Sequence, residues 1–232
     1  MRPVVAMLLC PIILSLPLPL PLHAEELQLS VISRSTTHAD LWKAAEVAFQ
    51  RAGVTAVVRE VSPERSAVLA NEGATDGDVG RSSGLEKNFP NLVQIPEPIY
   101  QYAPTAFSYK RFDVAAGWES LRSHTVCIRR GLRQTDQRTK DMTRQVLADE
   151  STMLRMLAAG GCDVAVMERN NALARAAMTA EPPLQRLLPP MEVMPLYIYL
   201  HKSHAALVPK VSAALKQMRA DGTMHKLLGE GE

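Results

Sequence analysis

The sequence predicts an α/β protein of two lobes, each a mostly parallel sheet flanked by helices, joined by two crossing strands. Three observations carry this. Residues 27–73 run through a β-α-β-α order, in which apolar positions first alternate and then recur at helical spacing. A comparable order returns over 125–178, and two apolar, tyrosine-bearing runs, 100–109 and 194–200, connect the halves. At 232 residues, 47% hydrophobic and 22% charged, the chain is long enough for one large or two small cores.

The elements follow in order. Residues 27–32 alternate and are β-rich, and Ser35 gives a capping signal before a helix over 40–52, whose Leu41, Ala44, Ala45, Ala48 and Phe49 share a face. Gly53 closes that helix and 55–61 reads as a second strand. Ser62 and Pro63 open a second helix, which Gly73 stops. Residues 77–98 are broken by Gly77, Gly80, Gly84, Pro90, Pro96 and Pro98 and read as a long connection. After the strand at 100–109 comes a short helix at 118–121, then a strand at 125–129, a helix at 137–143 and a strand at 144–147. A helix at 150–159, a strand at 163–167 and a helix at 170–178 complete the second series. A Pro-rich loop at 182–190 precedes the strand at 194–200, and one long helix over 205–228, with Val208, Val211, Leu215, Met218 and Leu227 as its stripe, ends the chain.

The first 24 residues read as a cleaved secretory signal: Arg2 is the positive start, 4–22 carry no charge, and Ala24 stands at the cut. A membrane anchor is the alternative, but prolines at 11, 17, 19 and 21 spoil a continuous spanning helix. A periplasmic location follows. The net charge of +2, without a run of like charges, gives no footprint for nucleic acid. The scattered histidines and cysteines give no metal-site spacing, and no cofactor is expected. Once the signal is removed, Cys127 and Cys162 remain; they are either bridged, as the compartment allows, or ordinary buried small residues.

Several stretches resemble the family 3 extracellular solute-binding proteins of amino-acid ABC transporters. They are Trp118-Glu-Ser-Leu121, Val126-Cys-Ile-Arg-Arg-Gly131, Met153 to Gly160 running into Cys162-Asp163-Val-Ala-Val166, and the ending around Asp221-Gly222-Thr223. The resemblance implies a periplasmic-binding-protein-like fold, with lobe 1 formed by 25–107 plus 197–232 and lobe 2 by 108–196. It also implies a monomer that passes a small solute to a membrane permease or sensor. Two departures stand out. The aromatic clasp that typically follows the first strand is missing, and Gly80 to Glu86 replaces the usual stretch ending in a carboxylate-gripping Arg, so the ligand need not be an amino acid.

Six residues are candidates for the ligand site, each beside a plainer role. Arg81, in a Gly- and Ser-rich turn, suits a carboxylate through its guanidinium fork, or is a solvated loop residue. Glu168 ends a strand where the family often has an Asp that meets the ligand ammonium, or serves the N-terminus of the next helix. Arg65 faces the cleft or forms a surface pair with Glu60 or Glu64. Thr135 and Ser151 precede helices and hold an anion or simply cap. Tyr102 stacks on a ligand or is a half-buried sheet residue. No nucleophile, base and orienter set is present, so dehydratase-type chemistry on the same fold ranks below binding, as does a scaffold role without a ligand.

Overall fold

The structure is a computed structural model that describes residues 26–229; the expected signal peptide, 1–24, lies outside them. In chain order it contains β1 (Glu26–Ile32), α1 (Thr36–Arg51), β2 (Thr55–Val61), α2 (Pro63–Asn71), β3 (Gly77–Ser82), β4 (Leu92–Gln94), β5 (Tyr100–Tyr102) and β6 (Pro104–Ser108). There follow β7 (Val126–Arg129), α3 (Arg133–Arg138), β8 (Arg144–Leu147), α4 (Glu150–Ala158), β9 (Val164–Glu168) and α5 (Ala172–Ala177). The chain closes with β10 (Gln185–Leu187), β11 (Met194–His201), α6 (Val208–Ala220) and α7 (Thr223–Leu228), with short 3₁₀ turns between some elements.

The strands form two sheets. The first is ordered β2-β1-β3-β11-β4, with β5 also paired to β11, and the second is ordered β10-β6-β9-β7-β8. β1 is parallel to β2 and β3, and β7 is parallel to β8 and β9. β11 pairs antiparallel with β3, and β6 pairs antiparallel with β9. Each sheet is therefore mixed, parallel where helices make the crossover and antiparallel where the chain passes from one lobe to the other and returns.

Pairing corrects the expected lobe limits. The run at 100–109 is two strands: β5 belongs to the first sheet and β6 to the second, so the chain crosses at Ala103. The return lies before Met194, because all of β11 pairs within the first sheet. Boundaries at 107/108 and 196/197 would cut β6 and β11 through their ladders. Two further elements differ. α3 covers 133–138 rather than 137–143, and the closing helix is broken into α6 and α7 at Gly222, whose φ of +76° no helix interior accommodates.

Period-two alternation decides which face each strand residue takes. In the second sheet Val126, Ile128, Val164 and Val166 pack with Trp118 and Leu121 on one face. Cys127, Ala165 and Met167 pack with Met153 and Leu157 on the other. There Cys127 and Cys162 form a disulfide, which settles the alternative left open above. The first lobe concentrates its core on one face, where Leu27, Leu29 and Val31 meet Leu41 and Phe49 of α1 and Leu215 and Met218 of α6. Among the described residues no helix is long and apolar enough to cross a membrane.

Candidate functional site

The carboxyl ends of parallel strands from both sheets converge on one cleft of about 720 Å³. Ile32 at the end of β1, Pro63 and Glu64 after β2, and Gly80 to Leu85 from β3 onward line it from the first lobe. Arg130 to Asp136 after β7 and Val146 of β8 line it from the second, and Tyr102, Met194 and Leu196 form its floor at the crossing strands. Open α/β sheets present free loop backbone and helix starts at this end of their strands, which makes it the usual place for a ligand.

Arg81 stands on β3 itself, not in a turn. Its Nε lies 2.9 Å from Asp78 Oδ2, and its Nη2 donates to Pro63 O at 3.3 Å. Asp78 is fully buried and also accepts from Ser66 Oγ at 2.6 Å. Burial pushes the Asp78 carboxyl upward, against the opposing pull of Arg81 and Ser66. Arg81 therefore reaches the cleft wall with part of its fork already committed to the protein. Gly80 beside it has φ +83°, and a Cβ there would sit 2.8 Å from Leu41 Cδ1, so α1 can pack this close only against glycine.

His38, near the start of α1, also faces the cleft and is buried. Its Nδ1 is 3.0 Å from Ser35 Oγ, the oxygen that caps the helix by accepting from His38 N. Burial first, then the charges of Arg81 and Arg129, lower its pKa to about 3, so the imidazole is neutral at pH 7.

Beside the cleft, a buried polar seam ties the lobes together. Arg129, at the end of β7 and 3% exposed, donates Nη2 to Ser33 O in the first lobe. Its Nη1 lies 3.8 Å from Glu150 Oε1, and Glu150 Oε2 accepts from Thr36 Oγ1 at 3.2 Å. Asn171 Nδ2 donates to the same Thr36 oxygen at 2.9 Å. Burial pulls the Arg129 guanidinium below its usual range, while Glu150 and the Tyr102 hydroxyl oppose the shift.

Glu168 stands next to the cleft, near Tyr102, but on the lining of a neighbouring cavity. It lines a second cavity of about 650 Å³ with Thr36 and Tyr100, the Asn170–Asn171 turn, and Arg175, Arg186 and His225. It is 3% exposed and accepts from Tyr100 Oη at 2.7 Å and from the backbone N–H of Asn170. Burial raises its pKa against those two bonds. The structure thus brings Arg81, Thr135 and Tyr102 to one cavity and Glu168 to another.

No family model matches the chain. An uncharacterized protein of Shewanella oneidensis is 25% identical over 170 residues, 70% of this chain and 64% of that protein, so the match spans less than two thirds of the relative's length. Solved structures are far closer in shape than in sequence. An ancestral arginine-binding protein bound to arginine superposes with a TM-score of 0.71 at 16% identity, covering 88% of this chain and 97% of that one. An amino-acid ABC transporter substrate-binding protein from Streptococcus pneumoniae bound to L-arginine gives 0.69 at 13%, covering 88% and 93%. This is the two-lobed solute-binding fold. A histidine kinase sensor domain described as similar to periplasmic binding proteins shares it, with a TM-score of 0.71 at 17% identity over 88% and 95% of the two chains.

Within the solute-binding fold the remaining candidates divide. Thr135 is buried on α3 and lines the cleft, but it does not cap: Leu132 stands at that position, and the Thr135 carbonyl accepts from Thr139 Oγ1 at 2.7 Å. Ser151 is exposed and bonded to Arg155 Nη1 at 2.7 Å, while Asp149 caps α4 by accepting from Thr152 N. Arg65 is exposed on α2 and lines neither cavity. Tyr102 is half-buried in the cleft floor; burial, then the nearby Glu168 and Glu150, raises its pKa. Sequence reasoning missed His38 and Arg129. A signal for Arg129 existed, since a cation ending the apolar run Val126 to Ile128 is either paired or placed for function.

Proposed function

We propose that this chain is a divergent periplasmic solute-binding protein of the family 3 type. Exported through a leader ending at Ala24, it would hold a small polar solute, an amino acid or related carboxylate, between its lobes. The closed monomer is then recognised by a membrane permease or a sensor. The observation that carries this reading is the convergence of the carboxyl ends of β1, β3, β7 and β8 on one charged cleft. Closure about the crossing strands desolvates the solute between the first-lobe wall at Arg81 and the second-lobe wall at Thr135, with Tyr102 beneath. Arg65 and Ser151, exposed and outside the cavity, drop out of the ligand set, and Glu168 drops out of the clamp opposite Arg81.

The test is thermal unfolding against amino acids, polyamines, dicarboxylates and aromatic acids. A solute at a hundredfold excess over its Kd adds about 2.7 kcal/mol, and small-angle scattering of the same mixture reports closure. If no class of solute shifts the transition or the scattering, the reading is wrong. A second reading, a scaffold that closes without a solute, draws support from the seam, in which Arg129, Glu150 and Asn171 already reach Ser33 and Thr36. Scattering that matches the closed form in the absence of solute favours it.

A further inference from the structure

We infer that the cavity lined by Glu168 is a second binding site, separate from the solute cleft, and that it takes a small oxyanion: a phosphate, a sulfate or a carboxylate. The inference does not depend on the solute-binding reading. Three observations lead to it.

The first is where the cavity lies. It encloses about 650 Å³ and draws its walls from both lobes, with Thr36, Thr37 and Lys226 from α1 and α7 of the first and Arg175 and Arg186 from α5 and β10 of the second. It shares no lining residue with the cleft.

The second is the state of its cations. Arg186 is half-buried, and its guanidinium makes only one long hydrogen bond among the described residues, from Nη1 to Arg169 O at 3.5 Å. Arg175 and Lys226 are exposed, and neither has an acid partner among the described residues. Cations gathered on one concave wall repel one another, and such a wall concentrates anions from solution. Guanidinium forks meet phosphate or carboxylate oxygens through paired N–H donors.

The third is the condition of the acids on the same wall. Asp40 Oδ1 is held by Lys43 Nζ at 2.8 Å. Glu168 is 3% exposed, its oxygens accept from Tyr100 Oη and the Asn170 N–H, and the nearby charge of Arg169 also favours its ionised form. Both carboxylates are thus answered by groups other than Arg175, Arg186 and Lys226, which leaves the cavity a surplus of positive charge. His225 adds no negative charge to the lining, and the Thr37 hydroxyl and Asn170 amide add neutral donors.

Thermal unfolding and titration calorimetry of the purified chain test this with inorganic phosphate, sulfate and acetate, each against sodium chloride at the same ionic strength to separate a site from general screening. At least one oxyanion should raise the melting temperature beyond chloride. Arg175→Gln with Arg186→Gln should weaken that oxyanion about tenfold. Arg130→Gln with Arg133→Gln, on the wall of the solute cleft, should change it by no more than about twofold. Because Arg186 lies in β10, Lys226→Gln at an exposed position is the second variant, with an expected loss of about threefold. Glu230 and Glu232 follow Gly229, which also lines the cavity, so Glu230→Gln with Glu232→Gln decides the source of the anion. Affinity that stays within about twofold in that variant supports an oxyanion from solution. A gain of about tenfold means that the chain's own carboxylates fill the site instead, and overturns the inference. Equal weakening by the two arginine pairs, or no oxyanion acting beyond chloride, overturns it as well, and each of these results leaves the solute-binding reading standing.

Discussion

The two lobes share an order of elements but are held together differently. In the first, α1, α6 and α7 all cover the same sheet face and give one continuous core from Leu27 to Leu228, while the opposite face carries the small group around Ala70, Leu92 and Tyr199. The second divides a smaller stock of apolar residues between both faces of its sheet, in two clusters of comparable size. The disulfide lies in one of these thin clusters, linking β7 to the turn before β9. A covalent link is most useful where a core is too small to exclude alternatives. The sharpest way to break this contrast is Cys127→Ala with Cys162→Ala. With a sequence separation of 35 between the partners, the chain-entropy argument assigns the bond about 4 kcal/mol. Hydrogen exchange should show β7 and β9 amides losing protection while β1 and β3 keep theirs. Equal loss in both lobes would mean that they unfold as one unit.

The contrast also separates what was legible in the sequence from what was not. β2 was read to the residue and β1 nearly so, because alternation and flanking turn residues are local signals. The glycines at 77 and 80 were read as breakers, yet both lie within β3. At Gly77 a Cβ would stand 2.3 Å from Tyr199 O, so the residue is small because β11 passes close by, a fact of tertiary packing. The same limit applies to the site. Arg81 was recognised by residue type, but Asp78 was not seen as its partner, since pairing within a strand depends on how the strand twists at its end. Glu168 stands at the strand end expected, but it lines the cavity beside Tyr100 rather than the one that Arg81 lines. Which cavity a strand-end side chain enters is decided by the neighbouring loop, here Asn170 and Asn171, and no periodicity reports that.

His38 and Arg129 sharpen the comparison because one belongs to each lobe and the charge of Arg129 helps to lower the pKa of His38. The folded-state pKa of His38, about 3, lies below its ordinary 6.5. The neutral ring therefore contributes its full stability above pH 6.5, and the contribution is lost as pH falls from 6.5 toward 3. By pH 4 the loss is on the order of 3 kcal/mol. Urea unfolding of the wild type should weaken over that window, and His38→Gln should flatten the acid limb. Parallel curves for the two proteins would show that His38 is not held neutral between the lobes. The effect should also appear in the first lobe before the second, since His38 packs on Gly80 and Leu41 lies at the same point.

The smallest effect concerns the bond that crosses from β5 to β9. Tyr100 belongs to the first sheet, Glu168 to the second, and their 2.7 Å contact spans the point where the chain changes lobes. Because burial raises the Glu168 pKa, the folded state favours the protonated acid. Stability from this group is present below about pH 4.5 and declines as pH rises through the raised value. The Tyr100 hydroxyl offsets that decline, since it donates to the ionised form more strongly than to the neutral one. Tyr100→Phe should therefore cost about 2 kcal/mol at pH 8 and distinctly less at pH 4. A cost that does not change with pH would mean the hydroxyl supports the fold at the crossing without answering to the charge on Glu168. The lobes would then be joined there by a hydrogen bond whose worth is independent of the charge on Glu168, and the pH dependence of their junction would have to come from other groups.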